Sequence, residues 1–174
     1  MRVSDLHVQS IDGEHLSVDQ ISAGRAGIMV LVRHYGCIFC RQRIAELVEQ
    51  ANARPALDLA IMVVGNGTST MAADFVNTHQ ITVPVYTDPS RKIYKALGMK
   101  RMFGINWTSI KQGIAAYKDG HRQTAVQGDV WQQGGIAVFN ASGDITYVFA
   151  DEEAGSAIPW EDVWLQFAEL STHA

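Results

Sequence analysis

Arg33-His34-Tyr35-Gly36-Cys37-Ile38-Phe39-Cys40-Arg41 decides how the rest of the chain is read, because it holds the two cysteines of a 174-residue sequence. An apolar run, Gly27 to Val32, leads into it, and a helical pattern leaves it: Cys40, Ile44, Leu47 and Ala51 recur at helical spacing, with Val48 beside them. That periodicity predicts an apolar helix face with Cys40 buried on it. Cys37 falls one turn earlier on the same side, at the helix mouth, where it is predicted to reach Cys40 while staying exposed to a partner. A helix N-terminus offers unpaired N–H groups and the positive end of the macrodipole, and both favour thiolate over thiol. Cys37 is therefore the expected nucleophile and Cys40 the resolving thiol. Arg33, His34 and Arg41 are candidates to lower the thiol pKa further, His34 also as a proton partner.

The length suits one domain, residues 1–174, with a core that needs no staples. Hydrophobic content of 47% is that of an ordinary soluble protein, and a net charge of −4 without a basic patch argues against nucleic acid. No apolar run approaches the roughly eighteen residues of a membrane span, and the first residues are polar and acidic, so a cytoplasmic protein with no membrane partner is expected. Two cysteines are too few for a secreted disulfide scaffold. In a reducing compartment such a pair is catalytic, redox-sensing or metal-binding. Zinc wants four ligands, and His34, His79, His121 and the acids stand at no recognisable spacing, so neither metal nor cofactor is expected.

Leu6–Val8 and His15–Val18 flank the turn signal Asp12-Gly13 and predict an N-terminal hairpin on a sheet edge. Ile28–Val32 reads as a strand buried on both faces, and a helix from Cys37 to Asn52 is closed by Pro55. A second buried strand, Leu57–Val64, precedes a helix capped by Thr70 with Met71, Phe75 and Val76 inside. Pro84 in Val83–Tyr86 argues for an edge strand or a strand start, and Asp88-Pro89 for the cap of a helix ended by Gly98. Residues 100–133 read as an insertion with a helix over Thr108–Tyr117, Trp131 being a candidate pocket wall. Ile136–Phe139 and Ile145–Phe149 predict a late hairpin, and Pro159 opens a last helix facing Val163, Trp164, Phe167 and Leu170 inward. This order predicts an α/β thioredoxin-like fold, a central mixed sheet flanked by helices. A nucleotide-binding fold would want glycines where the cysteines stand.

The motif Arg33-x-x-Gly36-Cys37-x-x-Cys40-Arg41 resembles that of the peroxiredoxin-like 2 family, in the AhpC/TSA antioxidant group of the thioredoxin-like superfamily. Asp88-Pro89 through Tyr94 to Leu97-Gly98, Gly128-Asp129 to Gly134-Gly135, and the acidic link Asp151 to Pro159 are similar to further blocks of that group. The resemblance implies a thiol-dependent redox enzyme, with Cys37 where some relatives carry selenocysteine, and adds Gly36 to the candidate site. It implies a disulfide or peroxide substrate, a thiol reductant of thioredoxin, glutaredoxin or glutathione type, and by analogy a homodimer. Relatives include antioxidant proteins and a prostamide/prostaglandin F synthase. The chain departs from typical peroxiredoxins in having His34 and Val30 where their Thr and Pro stand, and Gly134 in place of an arginine that Arg33, Arg41 or Arg101 would have to replace. These departures tilt the expectation towards disulfide reduction over peroxide reduction. The alternative is a redox-sensing or metal-binding module that acts through the same two cysteines without turnover.

Overall fold

A computed structural model of the chain describes residues 1–101, 128–152 and 156–168. Its centre is β3 (Gly27–Leu31), buried along its whole length. Alternate side chains leave a strand on opposite faces. Ile28, Val30 and Val32 accordingly enter one core cluster while Met29 and Leu31 enter another. The first cluster is closed by α2 (Ile38–Asn52), α3 (Ser69–His79) and α5 (Trp160–Leu165), through Ile44, Leu47, Phe75 and Val163. Across the sheet, a 3-10 turn (Val3–Asp5), α1 (Val18–Ser22) and α4 (Lys92–Ala96) supply Val3, Val18, Ile93 and Tyr94.

Among the described residues seven strands form one sheet: β1 (His7–Ser10), β2 (His15–Ser17), β3, β4 (Ala60–Gly65), β5 (Val85–Thr87), β6 (Gly135–Phe139) and β7 (Ile145–Ala150), in the order β2-β1-β5-β4-β3-β6-β7. β3 pairs parallel with β4 and antiparallel with β6, and β4 pairs parallel with β5, which makes the sheet mixed as expected. The N-terminal hairpin forms the predicted edge, and β6 with β7 forms the late hairpin.

Several local expectations are corrected. β5 is an inner strand, between β1 and β4, and Pro84 lies just outside it, its carbonyl accepting from the Val63 amide at 2.9 Å. Lacking an N–H, proline is tolerated there but not in the ladder. The cap of α3 is Thr68, whose hydroxyl accepts from Met71 N, so Thr70 lies inside the helix. The helix after Asp88-Pro89 starts later, at Lys92, behind Arg91 in the left-handed region at φ 58°, yet Asp88 still accepts from Ile93 N at 2.8 Å. Helix α1 was not read from the sequence, although Ser17 and Gln20 form its capping box. The expected helix Thr108–Tyr117 and Leu170 lie outside the described residues, as does most of the insertion. Among the described residues no helix is long and apolar enough to cross a membrane.

Candidate redox site

The site is built where β3 and β4 end side by side. Val32 N donates to Val64 O at 2.9 Å, and the buried Tyr94 hydroxyl lies 2.8 Å from Val32 O and 2.9 Å from Val64 O, tying the two strand exits together. Past that point the chain turns. Tyr35 folds back into the core, its hydroxyl donating to Tyr86 O at 3.0 Å. The ring fits because residues 65 and 67 are glycines; a Cβ on Gly65 would stand 2.3 Å from Tyr35 Cζ, and one on Gly67 2.9 Å from Cε2. Asn66 between them donates to Arg33 O at 2.8 Å and to Asp129 O at 3.2 Å, and accepts from Asp129 N at 2.8 Å. The cysteine turn is thereby fixed to the loop that precedes β6.

Cys37 is the N-cap of α2, with Cys40 in the first turn. Both thiols are free, and the Cys40 thiol hydrogen-bonds the Cys37 sulfur. That bond is the main reason the Cys37 pKa falls from 9.0 to about 6; burial opposes it, while the Cys40 and Phe39 amides and the Arg33 charge assist. Cys40 is pushed well above 9.0, because its proton is held by Cys37 and because it is buried beside that charge. The Arg33 amide also donates to Cys40 Sγ at 3.4 Å. A thiolate at the helix mouth next to a protonated thiol is the electrostatic division of labour of an attacking and a resolving sulfur.

One expectation fails. Cys37 is only 7% exposed and packs in the same core cluster as Tyr35, Cys40 and Ile44. The exposed member of the motif is Phe39, at 41%. It borders a cleft of about 420 Å³ between α2 and residues 156–160, lined also by Arg43, Glu46, Gln50, Ile158 and Trp160.

Of the supporting residues, Arg33 is buried and bears on Cys37, with Nη2 donating to Val130 O at 3.2 Å. His34 is held neutral, its pKa lowered from 6.5 to about 4 by burial and then by Arg33. Arg41 turns away from the thiols to α3, its Nη1 3.2 Å from His79 Nδ1. Gly36 sits in the turn without a positive φ, so the turn does not depend on glycine's left-handed freedom. Arg101, the other proposed substitute for a thiol-side arginine, pairs with Asp129 at 2.8 Å. Arg33 Nε, His34 Nδ1 and Arg41 Nε are buried without a hydrogen-bond partner among the described residues.

Two functional-site neighbours escaped the sequence reading. Arg43, 5% exposed, reaches from α2 to Asp151 at the end of β7 in a bidentate pair at 2.9 and 2.8 Å, and its Nη2 also donates to Ser156 O at 3.1 Å. The signal was present: Arg43 lies three residues after Cys40 and so belongs to the buried stripe.

The family model described as AhpC/TSA antioxidant enzyme matches residues 44–153, more than half of the chain. Over 90% of its length the chain is 29% identical to the thioredoxin-like protein AAED1, chloroplastic, of Arabidopsis thaliana, covering 67% of that protein. It is 28% identical to peroxiredoxin-like 2C of Mus musculus, over 86% of this chain and 71% of the other. Reduced Prx3 from Vibrio vulnificus superposes with a TM-score of 0.66 at 12% identity, over 98% of this chain and 96% of that one, which establishes the thioredoxin-type fold.

Proposed function

Because the chain belongs to the AhpC/TSA antioxidant enzyme family, we propose that it is a thiol-dependent redox enzyme that cycles Cys37 and Cys40 between dithiol and disulfide to reduce peroxides or disulfides. The observation that carries this reading is the buried sulfur pair at the α2 N-terminus, with Cys37 titrating at about 6 and Cys40 kept protonated. At neutral pH the first is a nucleophile and the second is held in reserve.

With a hydroperoxide, the Cys37 thiolate attacks one oxygen, the O–O bond breaks, and the departing oxygen takes up a proton as water or alcohol, leaving a sulfenic acid. Cys40 then attacks the Cys37 sulfur; water leaves, and a Cys37–Cys40 bond forms. With a disulfide substrate, Cys37 displaces one sulfur and Cys40 resolves the mixed disulfide in the same way. Two electrons from two external thiol groups, a dithiol of thioredoxin or glutaredoxin type or a pair of glutathione-type monothiols that leave as a disulfide, return the pair to the start. The unpartnered Nε–H of Arg33 and the neutral His34 ring are the groups assigned to a substrate oxygen. Phe39 and the adjoining cleft are assigned to partner contact, since Cys37 itself is nearly covered. We place this chemistry in a reducing compartment such as the cytoplasm.

The test mixes the reduced protein with hydrogen peroxide, an organic hydroperoxide and insulin disulfide. Cys37→Ser is expected to abolish turnover, and Cys40→Ser to leave a sulfenic acid or mixed disulfide that mass spectrometry can trap. Full turnover by Cys37→Ser, or stoichiometric zinc that either cysteine substitution releases, would overturn the proposal in favour of another active group or a metal-binding module.

A further inference from the structure

Four charged side chains are buried among the described residues: Arg33, Arg43, Asp88 and Asp151. Asp88 is committed to the start of α4, accepting from Ile93 N at 2.8 Å and from the Ser90 hydroxyl at 2.6 Å. Of the other three, Arg33 and Arg43 bear on the dithiol and Asp151 is the partner of Arg43. Arg43 is paired with Asp151, and its charge also bears on Cys40. The Arg33 stem packs on Gly134 as the carboxylate does, a Cβ built there lying 3.0 Å from Arg33 Cγ and 3.0 Å from Asp151 Oδ2, and the Arg33 amide donates to Cys40 Sγ at 3.4 Å. Both guanidinium groups stay charged in proteins, but the carboxylate pairs with Arg43 alone, and Arg33, its Nη2 on Val130 O and its Nε without a partner, has no ion-pair partner among the described residues. The cluster carries one uncompensated positive charge. Tyr35 and Tyr94 are held protonated by burial and His34 is held neutral, so none of them balances it. A buried charge is costly unless an opposite one lies beside it. Cys37, ionised, is the group that balances it.

That balance exists in the reduced state alone. Forming the Cys37–Cys40 bond removes the thiolate and leaves Arg33 buried and unmatched. We propose that Arg33 and the Arg43–Asp151 pair set an oxidising potential for the Cys37–Cys40 couple, so that its disulfide is reduced by a small monothiol donor without need of a strongly reducing protein partner. The proposal rests on the dithiol cycle described above and names its electron donor. In the balanced step two donor thiols are oxidised to one donor disulfide, and their two electrons break the Cys37–Cys40 bond. One proton goes to Cys40 and the other to solvent, because Cys37 remains a thiolate. Cys37, only 7% exposed, is too closely covered to favour a bulky donor.

The experiment equilibrates the full chain with reduced and oxidised glutathione across a range of ratios and counts free thiols by alkylation and mass spectrometry. Arg33→Met should shift the equilibrium towards the protein disulfide by tenfold or more, a fall of about 30 mV per tenfold. Arg33→Lys should stay near the parent. Asp151→Asn should shift it the opposite way, and the double substitution R43M/D151N, which removes a neutral pair, should stay near the parent even if it weakens the fold. Urea unfolding of the parent should find the reduced form more stable than the oxidised one. Arg33→Met and Asp151→Asn moving the equilibrium in the same direction, or either moving it by less than twofold, would overturn the inference while leaving the dithiol cycle intact. Failure of any Cys37–Cys40 disulfide to form in the most oxidising mixture would overturn both.

Discussion

Cys37 concentrates the chemistry because opposing effects on one sulfur do not cancel. Burial alone would raise its pKa; the Cys40 thiol, the amides of the first helical turn and Arg33 reverse the sign and bring it to about 6. The alkylation rate of the reduced protein with iodoacetamide should therefore rise with pH to a plateau with an apparent pKa near 6, and Cys37→Ser should remove that phase. The same shift is a stability term. An unfolded chain holds the proton up to about 9.0, so the reduced fold gains stability as pH rises from about 6 to 9 and loses it as pH falls through 6. His34 acts in a lower window: between pH 6.5 and about 4 the unfolded chain binds a proton that the fold refuses, so acidification destabilises. Urea midpoints against pH should flatten across the lower window in His34→Leu and across the upper one in Cys37→Ser.

Helix α2 is held at its start and at its middle by different means. Its start is seated by Tyr35, for which Gly65 and Gly67 make room, and its middle is anchored by the Arg43–Asp151 pair to β7. Arg43→Ala should cost about 3–5 kcal/mol in urea unfolding, because it leaves a carboxylate buried and alone. The double substitution R43M/D151L should cost clearly less than either single change, since a satisfied apolar contact replaces a desolvated ion pair. Gly65→Ala puts a methyl 2.3 Å from the Tyr35 ring and should destabilise by about 1–3 kcal/mol. It should also speed Cys37 alkylation as the turn loosens. Faster alkylation without loss of stability would mean that Tyr35 gates the thiol without supporting the fold.

At the scale of the whole molecule, we propose that residues 1–174 fold as one domain, which predicts one cooperative thermal transition seen together in near- and far-ultraviolet circular dichroism. The arrangement behind that expectation was legible from hydrophobic pattern. Runs such as Ile28–Val32 and Ile136–Phe139 are apolar at every position, which suits a strand with helices on both sides, and both are buried throughout. The placing of Cys37 at a helix mouth and of Cys40 on the buried face of its first turn was likewise a local property, readable from a 3.6-residue period. What the sequence could not contain was contact between distant segments. The pairing of Arg43 with Asp151 joins residues 108 positions apart, and Asn66 reaches both Arg33 and Asp129. The covering of Cys37 and the turning away of Arg41 to His79 depend on how α3 and the strand ends pack around the turn. Backbone periodicity is short-ranged and is written in neighbouring residues. The charge balance at a sulfur depends on which remote groups packing brings within a few ångströms of it, and that was decided only when the sheet and its helices closed around the pair.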